Sequence, residues 1–359
     1  MEEASRRILK NLGINKPTRT QLDNIIYQIG LNPCVEVILF SKNVCNLTTI
    51  NVKAFVKDGK LELEDLLQAQ RYSARIGLRM TLATLELPNW DRIQQRDRLL
   101  GVSLTGWKDA MDLLNYNESQ ENELKELLHK VYREEADKYS KQLRVNAPLF
   151  VTAIKPEGTL SQVAGGVSSG LHWSHSPYFI RRIRVNSNDP LAKVAQDLGW
   201  TIHAEVGTNG FMTEEDLAKE EQTSSTRTLV IDFPIASGAK RTKDDISVDE
   251  QFDNYFGFQE LYTEMNTSNT ITVKPDEWVT AENRVWEGWD NFVGVSFLSH
   301  DGGTYTLAPY EAVSEERYQN LKNSMKPFDA KLLRKYEFSE TELDLDMVES
   351  CSSGVCPIR

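Results

Sequence analysis

The amino-acid sequence predicts an α/β fold with a partly parallel sheet covered on both faces. Val- and Ile-rich runs alternate with stretches of helical periodicity over most of the chain. The composition is globular, 40% hydrophobic and 26% charged. The 359 residues suffice for one large domain or two ordinary ones.

Residues 1–15 (MEEASRRILKNLGIN) read as a short amphipathic helix with no apolar signal core. CVEVILF at 34–40 is an apolar strand. AFVKDGKLEL at 54–63 is a hairpin about Asp58-Gly59, because a type I′ turn needs positive φ at both central residues. A long helix follows over 63–86. A second spans 119–142, with Leu124, Leu127, Leu128, Val131, Glu135 and Tyr139 at helical spacing. Its apolar stripe is narrow, so one side faces solvent. PLFVTAI (148–154), TLVIDFPI (228–235), NTITV (269–273) and FVGVSFL (292–298) are strands, with helices between them at 189–199 and 250–266. SHDGGTYTL (299–307) is a turn. EFSETELDLDMVE (337–349) is acidic and aperiodic, a flexible lead-in to the last ten residues. No linker interrupts 30–335, so one domain with a mobile tail is expected.

The net charge of -12 argues against a nucleic-acid or anionic-membrane binder. No stretch reaches the length of a membrane span. Four cysteines are too few for a disulfide-stapled secreted scaffold, so reducing cytosol is the expected compartment. There, a thiol is a buried small hydrophobe or a working sulfur.

Two of the four, Cys351 and Cys356, flank Ser-Ser-Gly-Val near the terminus. Small residues let the sulfurs meet, and a mobile end supplies the access that thiol–disulfide exchange needs. The alternatives are incidental surface cysteines or a zinc site, though no histidine ligand sits nearby.

A third, Cys34, lies in Asn32-Pro33-Cys34-Val35-Glu36, with Cys45 eleven residues on. In an extended segment Asn32, Cys34 and Glu36 share one face and converge on one small molecule. Pro33 holds Asn32 extended. The set offers a sulfur, a carboxylate to move a proton and an amide to fix a hydroxyl. The alternative is a buried core cysteine on a strand, with Glu36 in solvent.

Lys155-Pro156-Glu157-Gly158-Thr159-Leu160-Ser161 follows a strand and opens a helix, so its backbone N–H groups form an anion site or a plain helix cap. It lacks the Gly-Lys-Ser/Thr ending of a Walker loop. A Gly/Ser turn over 165–170 leads to His172, Trp173 and His175. These suit packing or cofactor contact better than metal, since no acidic or cysteine ligand flanks them. Arg181, Arg182 and Arg184 pair with internal carboxylates or with ligand phosphates.

Together these segments resemble the second half of a ribonucleotide reductase large chain, above all the adenosylcobalamin-dependent (class II), monomeric ribonucleoside-triphosphate reductases. The pieces are NPCVEVIL with CNLTTIN, RDRLLGVSLTG (96–106), IKPEGTLSQVAGGVSSGLHWSHSPYFIRRIRV (154–185), NTSNTITVKPDEW (266–278) and CSSGVCPIR. The resemblance runs from about residue 30 to the end. It implies the C-terminal part of a ten-stranded α/β barrel, with Cys34 at the tip of a central finger loop. It implies that Cys34 becomes a thiyl radical and takes hydrogen from the ribose 3′ carbon. Glu36 is then the base toward the 3′ hydroxyl and Asn32 its hydrogen-bonding companion. Cys45 is one member of the reducing pair. Pro156, Glu157, Gly158, Thr159 and Ser161 form the substrate-phosphate loop. Cys351 and Cys356 relay electrons from thioredoxin. Adenosylcobalamin is the implied radical source, and no metal site is implied in this chain.

The family's N-terminal half has no counterpart in the sequence, nor has the second cysteine of the reducing pair. Half a barrel exposes strand edges and an apolar face. The expectation is therefore a split enzyme partnered by a separate N-terminal chain. Residues 1–30 are a docking extension, 31–336 half of the barrel and 337–359 the flexible acidic tail with its redox pair. The alternatives are a catalytically incomplete redox or regulatory protein that reuses the fold, or a truncated, inactive product. An autonomous thiol oxidoreductase is disfavoured by the absence of C-x-x-C.

Overall fold

The structure, a computed structural model, describes residues 6, 9–10, 13–206, 214–300 and 306–339. The expected first helix lies largely outside these residues. So do most of the 299–307 turn and the tail with Cys351 and Cys356.

The chain forms two compact units, Met1–Pro177 with Ser237–Asp301, and Tyr178–Ala236 with Gly302–Arg359. No composition shift marks these divisions, and they differ from the boundaries expected at 30 and 336. Their physical origin is strand pairing: Tyr178–Asn186 and Thr228–Ala236 pair antiparallel with each other over their whole length.

In the first unit five extended segments run parallel, side by side. Asn46–Asn51 pairs with Leu100–Thr105. Val102 bridges Thr152, and Ile154 bridges Thr267. Thr270–Val273 then pairs with Ser296–Ser299. Leu100–Thr105 is buried at all six positions. A strand covered on both faces has no solvent side, so its sequence LGVSLT does not alternate. Its hydroxyls are satisfied: Ser103 accepts from Lys155 N at 2.9 Å, and Thr105 donates to Ser168 O at 3.0 Å.

Two helices cover this layer. Leu63–Met80 buries Leu66, Leu67, Ala74 and Leu78 in the main core, and Glu118–Leu143 adds Leu124, Leu128 and Tyr132. The longer helix starts at an Asn117/Gln120 capping box, which satisfies two otherwise orphaned donors. Arg75 crosses to the buried Glu135 at 2.6 Å, so that carboxylate on the helix's inner side is paired. The first helix stops at Met80, short of the expected 86. Thr81 Oγ1 donates to Leu78 O at 2.7 Å, and the Arg98 guanidinium donates to Thr81 O and Oγ1, which turns the chain. The Asp58-Gly59 hairpin is as expected, with φ of 51° and 71°.

Three strand expectations change. Residues 148–154 are extended but held through isolated bridges. The 292–298 strand is Ser296–Ser299, because a 3-10 turn at Trp289–Asn291 delays it. Thr228–Ala236 belongs to the second unit's antiparallel sheet, not to a parallel one. That sheet has four strands in the order Tyr310–Ala312, Tyr178–Asn186, Thr228–Ala236, Ile202–Ala204. The helix Ala330–Ser339 runs past residue 336, where the tail is expected to begin.

Candidate active site

Cys34 sits in a tight loop, not on a strand. Ile29–Leu31 and Ile38–Phe40 pair antiparallel, and residues 32–37 close the hairpin between them. The period-2 pattern expected for Asn32, Cys34 and Glu36 therefore fails. Val35 has φ 65°, which turns the chain by a route no strand takes. Asn32 staples the loop: its Oδ1 accepts from Val37 N at 3.0 Å and its backbone O from Val35 N at 2.9 Å. Only its Nδ2 remains to meet a substrate hydroxyl. Cys34 is exposed, whereas Glu36 is buried. Glu36 Oε2 has no hydrogen-bond partner among the described residues. A buried carboxylate oxygen without a partner is costly, and a ligand hydroxyl would satisfy it.

Cys45 lies just before the strand Asn46–Asn51 and packs against the small core that holds Val37, Leu99 and Ala153. Burial pushes its thiol pKa up, and the Glu36 charge pushes it the same way. The protonated thiol is thus its resting form. Gly101 makes the room: a Cβ there would lie 2.5 Å from Leu47 Cδ2 and 3.4 Å from Cys45 Sγ. Replacing Gly101 by valine should displace Cys45 and cost about 1–3 kcal/mol by overpacking, read by denaturant melts.

The expected phosphate loop follows extended residues 150–154 and enters the one-turn helix Leu160–Val163. The first N–H groups of such a turn have no intrahelical partners. Glu157 is buried with φ 55°, and its carboxylate turns inward: Thr49 Oγ1 donates to Oε1 at 2.8 Å, and Lys155 Nζ lies 3.8 Å from Oε2. A carboxylate offers a phosphate only repulsion, and here it is spent on Thr49 and Lys155 within the chain. Ser161 Oγ is buried, 3.0 Å from Ser169 Oγ, which makes it a second brace.

His172 is a backbone clamp. Nε2 accepts from Thr270 N at 3.0 Å, which leaves Nδ1–H to donate to Ser169 O at 2.9 Å. Both ring nitrogens are engaged, so neither is open to a metal. Among the described residues no His/Cys/Asp/Glu cluster can hold a metal ion, and no helix is long and apolar enough to cross a membrane. Burial and the Lys243 charge push His175 down to about 4 from 6.5, against an opposing pull from Asp244. The unfolded chain then binds the extra proton between those values. This stability is present above pH 6.5 and lost as pH falls toward 4. His175→Gln should shrink the difference in unfolding free energy between pH 7.5 and 5 by about 1–2 kcal/mol. An unchanged difference would refute the assignment.

A cavity of about 940 Å³ lies against the hairpin's base, lined by Ile29–Leu31, Phe256, Glu260 and residues 289–293, and does not include Cys34, Glu36 or Cys45. Sequence reasoning missed Tyr255, Asn266, Ser268 and Gly294, which surround the loop. Asn266 and Ser268 lie in the NTSNT stretch that carries the resemblance, but nothing local in it points to residue 34. Their meeting with residue 34 is purely tertiary.

No family model matches the chain. Curated relatives do. At 27% identity over 92% of this chain it is similar to a Lactobacillus gasseri protein named adenosylcobalamin-dependent ribonucleoside-triphosphate reductase, of which it covers 45%. A Lactobacillus leichmannii protein of the same name is 25% identical over 92% of this chain and 46% of its own length. A Dictyostelium discoideum protein, named as a probable member, is 27% identical over 92% of this chain and 40% of its own. Among solved structures, a B-12 dependent (class II) ribonucleotide reductase matches with a TM-score of 0.72 at 22% identity, over 87% of this chain and 44% of that one. The chain spans about half the length of the curated relatives it matches. The resemblance drawn from the motifs thus holds across nearly the whole chain, and the α/β fold is that of the class II reductase structure.

Proposed function

We propose that this chain supplies the C-terminal half of the catalytic machinery of an adenosylcobalamin-dependent ribonucleotide reductase. The observation that carries the reading is an exposed thiol, Cys34, on a stapled hairpin, with a buried carboxylate two residues on whose Oε2 has no partner among the described residues. The five parallel segments are read as half of a ten-stranded barrel, and the hairpin as its finger loop. The activity is that of the whole reductase, so it requires the N-terminal half that completes the barrel and brings the second reducing cysteine.

The exposed Cys34 fits a bulky cofactor approaching from solvent, and no residue is assigned to holding the corrin. When bound, adenosylcobalamin would supply the one-electron oxidant for the Cys34 thiol. Cys34 then removes the 3′ hydrogen of a ribonucleotide, taken to be a triphosphate. Glu36 accepts the 3′ hydroxyl proton, and Asn32 Nδ2 orients that hydroxyl. The 2′ hydroxyl takes a proton from the thiol pair and leaves as water. Cys45 and its partner cysteine also give a hydrogen to the 2′ carbon, losing two electrons in all as they become a disulfide, while Glu36 returns its proton to the 3′ oxygen and the 3′ hydrogen returns from Cys34. The N–H groups around Gly158 and Thr159 hold the phosphates, braced by Pro156, Glu157 and Ser161. Cys351 and Cys356 reduce the disulfide by exchange and are reduced by thioredoxin.

The test mixes this chain with an N-terminal half, adenosylcobalamin, a ribonucleoside triphosphate and a reductant, and measures deoxynucleotide. No product with any N-terminal half rejects the reading in favour of a non-catalytic protein that reuses the fold. Cys351→Ser should keep activity with dithiothreitol and lose it with thioredoxin; equal loss with both would sink the relay.

A further inference from the structure

We infer that Asn266, Tyr255 and Ser268 are positioning residues for Cys34, forming a polar clamp that fixes the backbone of its loop. The inference rests on the proposed role of Cys34 and names what holds that thiol in place.

Three consecutive loop carbonyls are captured by one short segment. Ser268 Oγ donates to Cys34 O at 2.7 Å. Asn266 Nδ2 donates to Val35 O at 2.8 Å, and Asn266 N donates to Glu36 O at 3.2 Å. Asn266 is fully buried, and its amide is spent completely. Nδ2 also donates to Gly294 O at 3.1 Å, while Oδ1 accepts from Tyr255 OH at 3.1 Å. The Tyr255 donor settles which end of the amide faces the loop. Burial raises the Tyr255 pKa, so the phenol stays a donor.

The loop needs this hold. Val35 is β-branched and sits at φ 65°, a region such residues avoid unless their surroundings impose it. Gly294 closes the other side: a Cβ there would lie 2.7 Å from Val35 Cγ1. The clamp is anchored in the parallel layer, since Asn266 O accepts from Ile154 N at 3.1 Å. Cys34 is thereby tied by its main chain to the layer's rigid centre, while its side chain stays exposed. Hydrogen transfer requires such placement, because it occurs only between atoms near contact.

The test puts a nitroxide on Cys34 in the full-length chain, with Cys351→Ser and Cys356→Ser so that the label goes to the exposed thiol. Electron paramagnetic resonance then reads how tightly the loop is held. Ser268→Ala and Asn266→Asp should each give about twofold faster nitroxide tumbling below the thermal midpoint. Ser268→Thr, which keeps the hydroxyl, should restore the slow spectrum. Spectra unchanged in Ser268→Ala overturn the clamp, as does a lowered midpoint with an unchanged spectrum. If Asn266→Asp fails to fold, Ser268→Ala and its Thr rescue decide. The measurement uses no nucleotide or cofactor, so failure of the reductase assay and failure of the clamp are separate results.

Discussion

Cys34→Ser should abolish deoxynucleotide formation by the completed enzyme while leaving the fold unchanged. The substitution is nearly isosteric and the side chain is exposed, so the stability change should stay within about 0.5 kcal/mol. The proposed radical chemistry, however, depends on a weak S–H bond, and a serine O–H is too strong to take its place. Glu36→Gln probes the next step. It keeps the shape of a buried side chain whose Oε2 has no partner among the described residues, but it cannot accept a proton. Loss of a positioned base should lower kcat by about 10²–10⁴-fold. KM should change little, because the proposed phosphate loop lies elsewhere in the chain. Product formation by Cys34→Ser at the unsubstituted rate would end the radical assignment. A Glu36→Gln effect confined to KM would make Glu36 a binding group instead.

How much of this site was legible in sequence depended on distance along the chain. Cys34, Glu36 and Cys45 lie within twelve residues, and their chemistry is visible in their types. Their geometry was not visible. The Asn-x-Cys-x-Glu spacing suggested a strand, but Val35 at φ 65° makes it a turn, and no local rule places a valine there. The strand Leu100–Thr105 has no amphipathic signature because both its faces are covered. Helix Glu118–Leu143 was readable nearly to the residue, since its cap and its periodicity agree. The 63–86 helix was overextended because Arg98, seventeen residues past Thr81, bonds to the turn that ends it. Asn266 shows the general limit: its side chain meets the Val35 carbonyl across more than two hundred residues, through a contact only the fold creates.

Arg182 poses a comparable problem, and the structure decides it. The sequence left its partner open between internal carboxylates and a ligand phosphate. In the second unit its side chain is buried, with Nε 3.1 Å from Asp232 Oδ1, Nη2 2.5 Å from Glu311 Oε2, and Nη1 donating to Ala308 O at 3.2 Å. Asp232 Oδ2 in turn meets His203 Nε2 at 3.1 Å. Each strand of the antiparallel sheet contributes one member: Tyr178–Asn186 the Arg, Thr228–Ala236 the Asp, Ile202–Ala204 the His and Tyr310–Ala312 the Glu. The network therefore ties the sheet together across its width. Arg182→Met should destabilise this unit by about 3–5 kcal/mol, because it strands the buried Asp232 charge. Hydrogen exchange should show the loss as faster exchange in Tyr178–Asn186 and Thr228–Ala236. Adding Asp232→Leu to Arg182→Met removes the stranded charge and should recover most of the stability. If Arg182→Met alone is neutral, the guanidinium is not bearing internal charge. The ligand-phosphate alternative would then return, and a phosphate-dependent rise in the melting temperature of the unsubstituted protein would be its mark.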